Sequence, residues 1–114
     1  VKTTEKIVDE IVVLKCEGEL MGVADWTALP EIFYNLVEEK QTKVVMDFTK
    51  VTNINSSGFG VIIGGVTTMR NNGGDIKFIG VHCGSSFQSL LLITKLSKLL
   101  EVFKTLDEAV NSFK

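Results

Sequence analysis

Apolar and polar positions change period several times along the chain, and each change marks an element. The opening segments "TTEKIV" and "IVVLKCEG" are β-rich and flank Asp9 and Glu10, which predicts a hairpin on a tight turn. "GELMGVADW" breaks the pattern. Leu29, Ile32, Phe33, Leu36 and Val37 then recur at helical spacing, and "EEK" closes that helix. Proline lacks an N–H and fits a first turn, so Pro30 places the helix start shortly before it, with Thr27 as the expected cap.

"KVVMDF" (Lys43 to Phe48) is a continuous apolar run, the pattern of a strand buried on both faces. A turn is expected over Thr52 to Asn55. Phe59, Ile62, Ile63, Val66 and Met69 return to helical spacing, and "RNNGGD" supplies residues suited to a left-handed C-cap. "DIKFIGV" reads as a second buried strand. "SSFQ" (85 to 88) has the form of a capping box before "SLLLI", and "TLDE" (105 to 108) repeats the device before Leu106, Ala109, Val110 and Phe113. Between them "LEVF" supplies a last short strand.

A hairpin followed by alternating helix and strand implies an α/β fold. Its sheet should be mixed but largely parallel, with an N-terminal β-hairpin, about four helices and right-handed crossovers. The 114 residues suit one domain spanning 1–114, with no repeat, linker or low-complexity run. At 45% hydrophobic and 23% charged, the composition is that of an ordinary globular protein and excludes a disordered one. A net charge of −2 leaves no electrostatic footprint for nucleic acid or an anionic membrane. No apolar run reaches the roughly 18 residues of a membrane-spanning helix, and "VKTTEKIVDE" is not a signal peptide, so the expected location is cytoplasmic. Cys16 and Cys83 lie in apolar surroundings without CxxC spacing and read as buried, reduced thiols.

Candidate chemistry is sparse. His82 is the sole histidine, which excludes a His-cluster metal site. Its neighbour Cys83 would point to the opposite face of a strand, and nothing in the sequence orients the pair for catalysis. Ser56 and Ser57 lack the flanks of a G-x-S-x-G elbow. "GFGVIIG" stops short of G-x-G-x-x-G and has no Walker lysine. The Asn55-Ser56-Ser57 match to the glycosylation pattern carries no weight without a secretion signal. Trp26 reads as a loop anchor, and the scattered carboxylates as charged surface. No catalytic residue, metal or cofactor is expected.

What remains is "NINSSGFGVIIGG" (53 to 65), an Asn- and Ser-rich turn running into a glycine-bearing apolar helix. Its hydroxyls could serve as a helix cap, a nucleophile, a phosphate cradle or a modification site. A cap needs one serine, leaving the other hydroxyl spare at the positive end of a helix dipole. Gly60 and Gly64, four apart on one face, with Gly65 alongside, each cost a helix roughly 0.5–1 kcal/mol. Such a face implies close backbone approach, either to the sheet or to a partner.

The stretch "VVMDFTKVTNINSSGFGVIIG" resembles the central motif of STAS-domain anti-sigma factor antagonists: a strand ending in D-[LF]-[ST]-x-V, a short turn, then D-S-S-G-[LF]-G. "VVLKCEGEL", "GGDIKFIGV" and "LLLITKLSKLLEVFKTLDEAV" continue the likeness over nearly the whole chain. It departs at Asn55, where the family has an acidic residue, and from Met21 to Trp26, where Met21 replaces the usual Asp. The resemblance implies a partner switch. The unmodified antagonist binds an anti-sigma factor that is also a serine kinase, phosphorylation releases it, and a serine phosphatase resets the cycle. The matching phosphosite is Ser56. Ser57 would be mainly the cap or a support for the turn, and Asn55, Ser57, Gly58, Gly60 and Gly64 the interaction surface. Two further readings stay open. One is a constitutive STAS scaffold or accessory subunit, in a stress-signalling complex or a lipid transporter. The other is a small-ligand or nucleotide-binding domain.

Overall fold

The computed structural model describes residues 2–20, 23–82, 85–95 and 100–114, with residues 23–27 described by backbone alone. Five strands form one sheet whose spatial order equals chain order. β1 (Lys2–Val8) and β2 (Ile11–Leu20) pair antiparallel around Val8↔Ile11. Asp9 (φ 50°) and Glu10 (φ 69°) supply the two consecutive positive-φ residues that match a two-residue turn to twisted strands. β2, β3 (Lys43–Ile54), β4 (Asp75–Ile79) and β5 (Glu101–Phe103) then run parallel.

The crossovers are α1 (Val23–Glu38), α2 (Ser56–Asn71) and α3 (Ser86–Thr94), and α4 (Leu106–Asn111) follows β5. Because every parallel step moves the same way along the sheet, right-handed connections put all three crossover helices on one face. Val12, Leu14, Cys16, Val44, Met46 and Phe78 face them in the larger core, while Ile11, Val13, Val45 and Ile79 face Ala109 and Val110 of α4. The unbroken apolar runs of β2, β3 and β4 follow from this: both faces are covered. The expected α/β architecture, with its hairpin and four helices, is the one observed.

Several boundaries differ from the sequence reading. Pro30 lies well inside α1, and Thr27 is a helical residue rather than a cap. The proline forfeits one backbone bond, but Leu29, Phe33 and Leu36 are buried beside it, and that burial outweighs the local preference. β3 does not end at Phe48. It runs to Ile54 because β2 also continues, pairing Gly18↔Val51, Glu19↔Asn53 and Leu20↔Ile54 across two register shifts. The left-handed residue expected within "RNNGGD" is present: it is Gly73 (φ +85°), one beyond the C-cap Asn72 (φ −109°). The expected caps of the last two helices do form. Ser85 Oγ accepts from the Gln88 amide, and Thr105 Oγ1 from the Glu108 amide.

Candidate functional site

Extended pairing of β2 with β3 carries Ile54 to the carboxyl edge of the sheet, and α2 begins two residues later. Asn55 sits at the corner with extended backbone (φ −99°, ψ 177°), and its Oδ1 accepts a 2.9 Å hydrogen bond from the Gly58 amide. The cap is therefore Asn55, not Ser57. An amide or carboxylate one residue before the serines satisfies the third amide of the helix as well as a hydroxyl does. Both Ser56 and Ser57 are left exposed in the first turn, which contains no acidic side chain.

Gly58 holds this turn against the sheet. A Cβ there would stand 2.5 Å from the Leu20 carbonyl oxygen and 3.2 Å from Ile54 Cγ1. The residue is buried, so it shapes the site from beneath and does not belong to the exposed surface expected from sequence. Gly65 is likewise buried, against the Phe33 ring. Gly60 and Gly64 differ: both are exposed, and a Cβ on either would meet nothing within 4 Å. Their absent side chains are not required by the fold. With Ser56, Ser57, Thr67 and Thr68 they give α2 a solvent-facing surface of small, uncharged residues.

The helix beneath that surface is firmly seated. Phe59 packs on Phe87 of α3 (5.5 Å between centroids), and Phe87 meets Phe48 edge-on at 4.9 Å. The sole arginine is distant from its first turn. Arg70 lies in the last turn of α2, about 21 Å along the axis from Ser56, and its Nε contacts Asp75 Oδ1 at 2.9 Å. Lys50 is exposed on β3, opposite Glu17 in the register.

Beside the site, the carboxyl ends of β3 and β4 and the start of α3 line a small, mostly apolar cleft. His82 Nε2 donates to the Thr49 carbonyl oxygen (2.9 Å), and Ser86 Oγ donates to Asn53 Oδ1 (3.3 Å). The cleft holds about 10 Å³, room for a single water and not for a nucleotide. Cys83 lies outside the described residues, as do Met21 and the Trp26 side chain. Cys16 is buried among apolar side chains. Desolvation, with a smaller effect from the Asp47 carboxylate, pushes its thiol up to about 12, so it stays protonated and unreactive at neutral pH. Among the described residues, no group of His, Cys, Asp or Glu is arranged to hold a metal ion, and no helix is long and apolar enough to cross a membrane.

The family model for the STAS domain matches residues 2–109. The chain belongs to the STAS domain family. Three solved structures share its fold. A Thermotoga maritima protein described as a candidate anti-sigma factor antagonist superposes with a TM-score of 0.85 at 22% identity, covering 96% of this chain and 92% of that one. An anti-sigma factor antagonist from Mycobacterium paratuberculosis gives 0.80 at 20% identity, with 97% and 92% covered. The Bacillus cell fate determinant SpoIIAA, in its phosphorylated form, gives 0.77 at 16% identity, with 99% and 100% covered. No curated protein matches the chain. The STAS domain thus presents an exposed Ser-Ser pair at the head of a glycine-bearing helix, beside a cleft too small for a nucleotide.

Proposed function

We propose that this STAS domain is an anti-sigma factor antagonist that works as a phosphorylation-controlled partner switch. Unmodified, the Ser56 end of α2 docks on an anti-sigma factor that is also a serine kinase. Phosphorylation of Ser56 releases that partner, and a serine phosphatase restores the binding state. The domain itself is a binding module and not an enzyme, and it acts in the cytoplasm without touching DNA.

One observation carries this reading: Asn55, not a serine, caps α2, so the exposed Ser56 hydroxyl is not needed as the cap. Phosphate there adds about −1.5 to −2 charges. The positive end of the α2 dipole favours an anion, so the modified protein stays folded. No arginine of this chain reaches Ser56 to draw the phosphate into a new arrangement. The charge remains at the surface and acts by blockade, because a docked partner would have to desolvate it.

The test is phosphopeptide mapping after incubation with ATP and the kinase that co-purifies with the protein. Label on Ser56 in the wild type and in Ser57→Ala, and none in Ser56→Ala, is the expected result. Label on Ser57 alone overturns the assignment. Stable partner binding with no phosphorylation at all would favour the constitutive scaffold or transporter accessory.

A further inference from the structure

On its outer side the α1–α2 pair leaves an apolar groove of about 410 Å³, walled by Pro30, Tyr34 and Val37 on α1 and by Val61, Gly64 and Thr68 on α2. Gly64 gives the groove its width, since no atom occupies the place of its missing side chain. Tyr34, 64% exposed, forms the outer wall. One rim is acidic: Glu31 and Glu38 lie three residues before and four residues after Tyr34, on the same face of α1, and both are exposed. The other rim is neutral, because α2 has no charged residue from Ser56 through Met69.

The same molecule displays a shape that suits this groove. α3 docks on the core through Phe87 and Leu91, which leaves Leu92 and Ile93 outward at 65% and 75% exposure. Two residues beyond Ile93, after Thr94, comes Lys95, exposed and left-handed (φ 60°). An apolar knob followed by a cation thus complements an apolar groove with an acidic rim. A chain cannot fill its own groove, because α2 packs against both α1 and α3 and lies between the two surfaces.

We infer that the Leu92–Ile93 knob of one copy seats in the α1–α2 groove of a second copy, with Lys95 beside the Glu31 and Glu38 carboxylates. The two surfaces are different, so the contact is head-to-tail and each copy keeps one free groove and one free knob. Two side chains in one groove bury far less than the roughly 800 Å² per partner of a stable interface, so the association is weak and depends on concentration. Exposed charges take part, so salt weakens it. This inference does not rest on the switch, but Gly64 lies in both surfaces, and self-association competes with partner docking.

Sedimentation equilibrium of the full chain from micromolar to millimolar concentration tests it. The wild type should pass beyond dimer mass as concentration rises, and less so at high salt. Tyr34→Glu and Ile93→Asp each place a charge at an exposed position and should each weaken association by more than about tenfold. Mixed one to one, the two variants should form a heterodimer and nothing larger, because only one intact groove and one intact knob remain per pair. A wild type that stays monomeric, or association untouched by either variant, overturns the inference. Should a variant fail to fold, amide shifts of the wild type on dilution decide: they should concentrate in α1, α2 and the last turn of α3, and shifts elsewhere contradict the proposed contact.

Discussion

Asn55 Oδ1 accepts from the Gly58 amide at 2.9 Å, and this bond separates the support of α2 from the hydroxyls it presents. Replacing Asn55 with alanine removes the cap and should cost about 1 kcal/mol in a urea or thermal melt. Asn55→Asp keeps the acceptor and adds a charge that the helix dipole favours, so stability should hold or rise slightly. If the family's acidic residue assists the kinase, Asn55→Asp should also phosphorylate faster. An unchanged or slower rate would mean the amide is fitted to this protein's own partner.

Gly58 and Gly64 should respond oppositely to the same substitution. Gly58→Ala forces a methyl to 2.5 Å from the Leu20 carbonyl, a backbone atom that cannot swing aside, and should destabilise by roughly 1–3 kcal/mol. Gly64→Ala meets empty space and should gain about 0.5–1 kcal/mol from helix propensity. Gly64→Leu should keep the fold yet obstruct the partner by bulk. Comparable losses of stability at both positions would remove Gly64 from the proposed docking face.

These two glycines also show where sequence reading stops. Periodicity sufficed for the type and order of every element, because apolar spacing reports burial directly: Phe59, Ile62, Val66 and Met69 are in the core where their spacing put them. Spacing also made Gly60 and Gly64 a single face. It did not distinguish Gly58 from them, since its role depends on Leu20, nearly forty residues earlier in the chain. The same distant strand explains the missed end of β3, whose "TKVTNI" segment looks like a turn until Gly18 to Leu20 are alongside. Pro30 misled for a related reason: a local rule gave way to burial of the residues around it. At the helix head, a preference for serine hid the asparagine immediately before, although Asn ranks with the strongest caps.

Cys16 gives the fold a pH signature. Its thiol ionises near 9.0 in the open chain and near 12 when folded, so the native state keeps a proton that the unfolded state has lost between those values. The Cys16 contribution is intact below pH 9 and drains away as pH rises toward 12, by at most about 1.4 kcal/mol per pH unit. Unfolding curves of the wild type and Cys16→Ala should therefore converge over that window. Parallel curves would mean that the thiol is not sequestered. Native protein at pH 7 should also resist alkylation at this position.

The cleft lined by Thr52, His82, Ser85 and Ser86 bears on the ligand-binding alternative. With room for one water and no Walker lysine, the isolated domain should bind ATP or GTP no tighter than about 1 mM, or roughly −4 kcal/mol. A micromolar constant by calorimetry would support a nucleotide site instead.

Charge at Ser56 should end docking without disturbing the fold. The most direct measurement is the affinity of the proposed partner, recovered by co-purification, for unmodified and Ser56-phosphorylated protein, with melting temperatures recorded alongside. Desolvating an unpaired anion at an interface costs roughly 2–5 kcal/mol, and each 1.4 kcal/mol is tenfold. The phosphorylated form should therefore bind at least about thirtyfold more weakly while melting at nearly the same temperature, with Ser56→Asp intermediate. Equal affinity for the two forms would contradict the switch and leave a constitutive STAS scaffold as the better account.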